Sequence, residues 1–463
     1  MKILFIKPPN QHTPHVSPVL AFGYLSSVLK KQGHEVSVLN CVIDKLEYKE
    51  IEDCIREENP QIVGLQIFTC DFSSAKNVMQ IAKKINSNIT TIIGGPHSSD
   101  DYLEVLNDYP EADFGFRGEA EIGITGLFKH LESPESIKIE DIKGLIYRDN
   151  GDIRFNERGI VNDLDELGCP DWDIIDPRVY PKPQGTFTRC INTAPLISSR
   201  GCPYNCMYCS ISLVMGKKLR KRSAAAVVDE MELLNKKYDV EEIQIWDDNF
   251  TLDRQRTMKI CQMLIDRKLN IYWAVPNGVR LDSLDAELLK MMERSGCYSF
   301  SVGIESGSPR IVKLMNRDVS LNTIEEKVKL IKKESKIRVT GLFIMGFPTE
   351  TLEDLQMTLD FSLKLPIDRA QFSDFTPHPG TKAFNMLLDS GEIKRSELNW
   401  DSYQLFKNNY HPKSMTNKQF RRFIAKTFMR FYLRPRILWG VLREINNKTQ
   451  FIFALKRWLD IFH

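Results

Sequence analysis

The sequence predicts an α/β protein of two units in tandem: a doubly wound, Rossmann-like parallel sheet over residues 1–150, then a partial (β/α)6 barrel over 195–385. A connector over 151–194 joins them, and a helical tail over 386–463 follows. Three observations carry this. Short β-type runs alternate with helical patterns through the first unit, and the same rhythm returns six times after residue 194. Between the two series, Cys202, Cys206 and Cys209 stand at C-x3-C-x2-C spacing in a chain that otherwise scatters its cysteines.

The 463 residues suffice for two or three domains, each with its own core. A composition of 42% hydrophobic and 27% charged residues is ordinary for a globular chain, and a formal charge of +2 argues against a global nucleic-acid binder. Ten cysteines, seven of them dispersed, do not form a disulfide framework and fit a reducing cytosol. The opening MKILFIKPPN is too short an apolar run for a signal peptide, and no uncharged stretch reaches the roughly 18–20 residues of a membrane span. A cytoplasmic protein is expected.

In the first unit, strands are expected at Ile3 to Ile6, Glu35 to Leu39, Ile62 to Ile67, Thr90 to Ile93 and Asp113 to Phe116. Helices are expected near 20–32, 48–57, 73–85, 100–108 and 120–132. Such sheets bind ligands beyond the carboxyl ends of their strands. Here those ends are Lys7-Pro8-Pro9, Phe68-Thr69-Cys70, Gly94-Gly95-Pro96-His97 and Arg117-Gly118-Glu119, where glycine lets backbone approach a bulky ligand. A G-x-G-x-x-G fingerprint is absent, which lowers the NAD or FAD reading. The connector mixes acids, prolines and isolated aromatics without period, and Trp172 and Tyr180 read as anchors that fix it to a domain surface.

Three clustered thiolates can hold a soft metal centre. A zinc site normally takes four protein ligands, or three and a water, whereas a cubane iron-sulfur cluster can accept three cysteines and leave one iron open. A small zinc site is the rival, but no fourth Cys or His stands nearby: Cys190 lies twelve residues before Cys202, and Cys261 falls in a helical pattern. The spacing, with Tyr208 just before the last cysteine, resembles the cluster loop of radical S-adenosylmethionine (SAM) enzymes. That resemblance implies a [4Fe-4S] cluster whose open iron is chelated by the amine and carboxylate of SAM.

The strand ends of the second unit fit the same resemblance. Asp247-Asp248-Asn249 resembles the position that receives the methionine amine, a charge that needs acceptors. Arg280 meets either the SAM carboxylate or local acids such as Asp282. Glu305 and Ser306 resemble the ribose contact, Gly346 the adenine loop and Pro379 the adenine edge. The spacing from Gly346 to Glu350 departs by one residue from the usual G-x-I-x-G-x-x-E. Each feature alone has a plain reading, since acids cap helices and Gly or Pro end strands; the series in strand order carries the weight.

The order of elements in the first unit is similar to the cobalamin-binding domain that precedes many radical SAM cores. The resemblance implies cobalamin contacts at Pro8, Thr69, Gly94, Gly95, His97, Arg117, Gly118 and Glu119. The D-x-H-x-x-G motif, whose histidine ligates cobalt in the methionine-synthase type of domain, does not occur. His97 is read as a loop residue near the nucleotide tail or corrin edge, the alternative being a surface histidine capping a helix that starts near Ser98.

From Lys413 onward twelve Lys and Arg stand against Glu444 and Asp460. Phe420, Phe423, Ile424, Phe428 and Phe431 recur at helical spacing among Arg421, Arg422, Lys426 and Arg430, and a second amphipathic stretch runs from Phe451 to Phe462. Either these helices pack on the barrel, or they lie on an anionic membrane surface or cover a greasy substrate; nucleic acid fits the apolar content less well.

The class implies that a reduced cluster, served by a donor such as flavodoxin or ferredoxin, cleaves SAM to a 5'-deoxyadenosyl radical. Cobalamin then delivers methyl to an unactivated carbon of a small or lipid-like substrate. The rival chemistry is ring closure or oxidation without methyl transfer, as in anaerobic protoporphyrin ester cyclases. A non-enzymatic B12 or redox sensor is the alternative from another class. A second cysteine triad, which a transfer-RNA methylthiolating enzyme would carry, is not seen in the first unit.

Overall fold

The computed structural model describes residues 1–10, 16–180, 188–404 and 409–445. Its first sheet has strands β1 (Lys2–Lys7), β2 (Glu35–Asn40), β3 (Ile62–Gln66), β4 (Thr90–Gly94), β5 (Phe114–Phe116), β6 (Leu145–Asp149) and β7 (Asp152–Phe155) in the order β2-β1-β3-β4-β5-β6-β7. The first five are parallel. Their apolar runs are buried because helices cover the sheet: α1 (Leu20–Lys30), α2 (Tyr48–Glu58), α3 (Phe72–Ile85), α4 (Pro96–Asp100), α5 (Val105–Asp108) and α6 (Glu121–Glu132). The order of the five parallel strands reverses direction between β1 and β3. That switch point is where an open sheet leaves a crevice for a ligand, and Pro8 and Thr69 stand at its two lips.

Two expectations need correction. The helix expected over 100–108 is two short helices, because Asp101 leaves helical geometry at ψ 33° and ends α4. The antiparallel hairpin β6–β7 was not foreseen. Its turn is Asn150-Gly151, with φ of 52° and 92°, the pair of positive values that a type I′ turn needs. The first sheet therefore runs to Phe155, into the stretch expected as a connector.

The second sheet has six parallel strands in chain order: β8 (Thr193–Leu196), then, past a short ribbon of β9 (Ser199–Arg200) and β10 (Arg220–Lys221), β11 (Glu242–Ile245), β12 (Tyr272–Val279), β13 (Cys297–Glu305), β14 (Arg338–Met345) and β15 (Arg369–Asp374). Strands β8 and β15 are its free edges, so the barrel is partial, as expected. The helices are α7 (Ile211–Val214), α8 (Ala224–Tyr238), α9 (Arg254–Asp266), α10 (Ala286–Arg294), α11 (Pro309–Leu314), α12 (Leu321–Glu334), α13 (Leu352–Lys364) and α14 (Lys382–Asp389). Ser223, Asp253, Asp285, Ser308, Ser320, Thr351 and Thr381 each accept a backbone N–H of the first turn of the helix they precede. These caps satisfy otherwise orphaned donors and place the helix starts where the sequence pattern puts them.

The core is continuous between the units. Phe5, Phe22 and Tyr24 of the first lie in one buried cluster with Val227, Met231 and Leu234 of α8 and with Trp172. Trp172 is buried and donates its indole N–H to Glu230 at 2.9 Å, so it is an anchor. Beyond the barrel, α15 (Asn417–Tyr432) buries Phe420 and Phe431 on the last strands, with the Phe431 ring 5.8 Å from that of Phe372, and α16 (Pro435–Glu444) follows. The stretch Phe451 to Phe462 lies outside the described residues.

Candidate active site

The ribbon β9–β10 pairs Arg200 with Arg220 and so closes residues 201–219 into a loop. At its base Cys202 donates its N–H to Gly216 O at 3.2 Å. Gly201 has φ +88°, and a Cβ there would collide with Lys218 O, so only glycine fits the entry to the cysteines. At the tip, three consecutive barrel residues hold three consecutive loop residues. Met315 O accepts from Met207 N at 3.0 Å, Asn316 Nδ2 donates to Asn205 O at 3.0 Å, and Arg317 Nη1 lies 3.8 Å from Cys206 Sγ. Met207 O in turn accepts from Ala383 N at 2.9 Å, at the start of α14.

Cys202, Cys206 and Cys209 are unbridged and half-buried. Burial pushes the Cys209 thiol up to about 12 and raises Cys202 as well; a bound metal reverses this by taking the thiolate. Among the described residues, the group of three His, Cys, Asp or Glu donors lying within 4.8 Å of one another is His97, Asp101 and Asp108, not the cysteine triad.

Around this loop the barrel residues divide. All of the Asp247 carboxylate is engaged, by Ser198 N at 2.6 Å, Ser198 Oγ at 2.5 Å and Ser199 Oγ at 2.7 Å. Asp247 therefore splints the strand before the cysteines and is not free for a methionine amine. Its neighbours are better placed. Asp248 is held by Gly201 N at 3.1 Å and pushed by burial up to about 7, and the buried Asn249 Oδ1 has no hydrogen-bond partner. Arg280 is forked onto Asp282 at 2.7 and 2.9 Å and lies 3.8 Å over the Tyr204 ring, so the local acid takes it.

The register slips in β12 and β13 carry Arg280 and Glu305 past their neighbours, as bulges near active sites do. Glu305 sits at φ +65°, its carboxylate 3.8 Å from Arg317 and in contact with the Tyr208 hydroxyl. Burial raises both groups, with Tyr208 pushed well above its ordinary value. The Ser306 hydroxyl, expected at the ribose, instead faces α13, 3.0 Å from Thr358 Oγ1, and accepts from Ser308 N at 3.1 Å. Gly346 donates its N–H to Glu350 at 2.5 Å. Glu350 is driven by burial up to about 8, and its second oxygen has no partner. Pro379 precedes Gly380, whose backbone abuts Asp100 O of the first unit.

The strand ends of the first unit divide too. Pro8 is buried beside Lys7, which pairs with Asp71. Thr69 Oγ1 lies 3.3 Å from His97 Nδ1. Gly94 closes β4, and Gly95 at φ +106° starts the turn into α4. His97 is neither a surface residue nor a cap for a helix at Ser98. It is fully buried in α4 among Phe72, Tyr109 and Trp400, its Nε2 has no partner, and burial with Arg395 and His378 nearby pushes it down to about 3. Arg117 lies 3.8 Å over the Tyr102 ring, and Gly118 donates to Ser99 Oγ at 2.9 Å. Glu119 does not face the crevice: it is buried against Arg220 and Arg200.

The family model described as the Radical SAM superfamily matches residues 196–362, and that described as the B12 binding domain matches residues 9–128. An uncharacterized methyltransferase of Pyrococcus horikoshii is 32% identical over 100% of this chain and 99% of its own. The chain belongs to the radical SAM enzymes that carry a B12-binding domain. Another relative is an anaerobic magnesium-protoporphyrin IX monomethyl ester cyclase of Cereibacter sphaeroides, 27% identical over 99% of this chain and 75% of that one. The fold is similar to that of the cobalamin-dependent SAM radical enzyme OxsB with aqua-cobalamin bound, with a TM-score of 0.75 at 17% identity, covering 100% of this chain and 72% of that one. As a member of this family the chain is an enzyme, and its cofactors are a [4Fe-4S] cluster, SAM and cobalamin.

Sequence reasoning missed Arg317, Arg200, Arg220 and Asp100. Arg200 and Arg220 flank the cysteine loop in the sequence and Arg317 follows α11, but nothing in a linear pattern says which partner each reaches.

Proposed function

We propose that this radical SAM enzyme methylates an unactivated carbon of a small or lipid-like substrate. The observation that carries the reading is the meeting of its two units at the last cysteine. Asp100, which ends α4 beyond β4, hydrogen-bonds Ser210, the residue after Cys209. A methyl carrier held beyond β4 of the first unit would thereby be close to the cysteine loop of the second.

In this reading Cys202, Cys206 and Cys209 hold the cluster. Tyr208, Asp248, Asn249, Glu305, Gly346 and Pro379 would hold SAM, and the unpartnered Asn249 oxygen would offer an acceptor for its amine. Pro8, Thr69, Gly94 and Gly95 border the corrin at the switch point. When bound, the cluster supplies the electron that cleaves SAM, and cobalamin supplies the methyl group. The chain's own task is to orient these groups and exclude water: Trp400 and Tyr403, both buried, pack near His97 and His378 over the joint between the units. An open groove of about 920 Å³ lined by Pro203, Tyr204, Asn205 and Lys313 runs along the outer edge of the cysteine loop, where a donor such as flavodoxin or ferredoxin would approach.

The test is anaerobic turnover of reconstituted protein with methyl-labelled SAM and cell extract as the substrate source. Label in a product is the expected result. Deoxyadenosine without label transfer would favour ring closure or oxidation, a second reading supported by the cyclase relative that spans nearly the whole chain. A variant lacking all three cysteines that still cleaved SAM would overturn both.

The finer placement at a membrane rests on α16. Leu438, Trp439 and Leu442 are exposed on one face, 40–58% accessible, with Leu433 beside them and Arg436 and Arg443 at the flanks. That pattern suits the surface of an anionic bilayer. Among the described residues no helix is long and apolar enough to cross a membrane.

A further inference from the structure

We propose that Glu119 and Glu121 of the first unit, together with Arg200 and Arg220 on the two stems of the cysteine loop, form a buried clamp by which the cobalamin domain holds the cluster loop in place. The inference rests on the cofactor assignment above and makes these four positioning residues. None is a cofactor ligand.

The four side chains are 2–8% exposed. Glu119 accepts from both terminal nitrogens of Arg220, one of them at 2.8 Å. Arg200 Nη2 lies 2.8 Å from Glu121 and its Nη1 3.4 Å from Glu119, with the guanidinium 4.9 Å over the Tyr24 ring. The ion-pair partners of Arg200, Glu119 and Glu121, and the ring it covers, Tyr24, come from the first unit, although Arg200 stands two residues before Cys202. Two cations against two anions leave the site neutral, the condition under which buried charge is tolerated.

The connector and the first unit together reach the exit of the loop. Arg220 donates to Met215 O at 2.7 Å and to Val161 O at 2.7 Å. Arg158 donates to Ser212 O at 2.9 Å and Leu213 O at 2.6 Å. Gly118 has φ +78°, and a Cβ there would stand 3.3 Å from Val214 O. The cysteines therefore sit on a loop whose stems and exit turn are also gripped from outside the barrel.

A buried ion pair is seldom more stabilising than a well-packed apolar pair, but removing one partner leaves an uncompensated buried charge and is strongly destabilising. Held this way, the cluster loop follows the first unit, and ligand binding that stiffens that unit also stiffens the loop.

The experiment uses the full-length protein reconstituted with iron and sulfide, with hydroxocobalamin as the binding probe and bathophenanthroline disulfonate as the iron chelator. In the wild type, hydroxocobalamin should slow iron loss to the chelator. Glu119→Gln should bind hydroxocobalamin as tightly as the wild type and keep its four irons. It should nevertheless lose them about tenfold faster, the change that about 1.4 kcal/mol produces, and gain no protection from hydroxocobalamin. Glu121→Gln, which leaves the Glu119–Arg220 pair intact, should show the same loss of protection in milder form and serves if Glu119→Gln does not fold. Weakened hydroxocobalamin binding with unchanged iron loss would make Glu119 a corrin contact and overturn the proposal, as would full protection in both variants. A wild type that takes up no hydroxocobalamin or no iron would instead defeat the cofactor reading itself.

Discussion

The Arg317 guanidinium lies 3.8 Å from the Cys206 sulfur while its other terminal nitrogen donates to Gly303 O at 2.7 Å, so one half-buried cation bridges the cysteine loop and the end of β13. Hydrogen bonds and positive charge at a cluster sulfur raise its reduction potential. Arg317→Gln is therefore expected to retain iron but to shift the midpoint potential of the cluster to a more negative value, read by electron paramagnetic resonance during a redox titration. An unchanged potential at full iron occupancy would remove Arg317 from this role.

Gly346 has φ +81°, and a Cβ added there would lie 2.6 Å from the Phe420 ring of α15. Gly346→Ala should destabilise the protein by about 1–3 kcal/mol through left-handed backbone strain, with a further contribution from the collision. Denaturant melts measure the total. Adding Phe420→Leu should recover only the steric part, because the strained φ remains.

Glu350 is buried, and its carboxyl is raised from 4.5 to about 8. The folded chain then holds a proton that the unfolded chain has released, so this residue's contribution is full below pH 4.5 and is lost as pH rises toward 8. The loss is at most about 1.4 kcal/mol per pH unit. Glu350→Gln should flatten that part of the stability profile, measured by urea melts between pH 5 and 8 on protein free of cofactors. A parallel slope in variant and wild type would contradict the assignment.

Trp439 and Leu442 are 58% and 48% exposed on α16. Trp439→Glu with Leu442→Glu should reduce co-sedimentation with anionic vesicles and leave binding to neutral vesicles, expected to be slight, unchanged. If deleting residues 413–463 leaves sedimentation unaltered, the tail has another task.

The alternation of strands and helices was legible because both sheets are parallel and covered on their faces, so strands appear as apolar runs and helices begin at Ser, Thr or Asp caps such as Ser223 and Thr351. The cysteine spacing was legible because Cys202, Cys206 and Cys209 all stand on one short loop, so the pattern is local in the sequence. The β6–β7 hairpin carried a local signal too, in Asn150-Gly151, but it lay across the expected boundary at residue 150.

Side-chain destinations were not legible, because they depend on contacts between positions far apart in the chain. Asp247 and Asp248 are adjacent and chemically alike, yet Asp247 is engaged by Ser198 and Ser199 while Asp248 turns to the base of the cysteine loop. Glu119 stands at a strand end where a ligand contact is expected, and only folding brings it against Arg220, 101 residues away. Local order thus followed from periodicity and capping, which act within a few residues. Whether a buried charge meets a cofactor or another charge was decided by the docking of the two units, since a buried carboxylate takes whichever cation the assembled fold delivers to it.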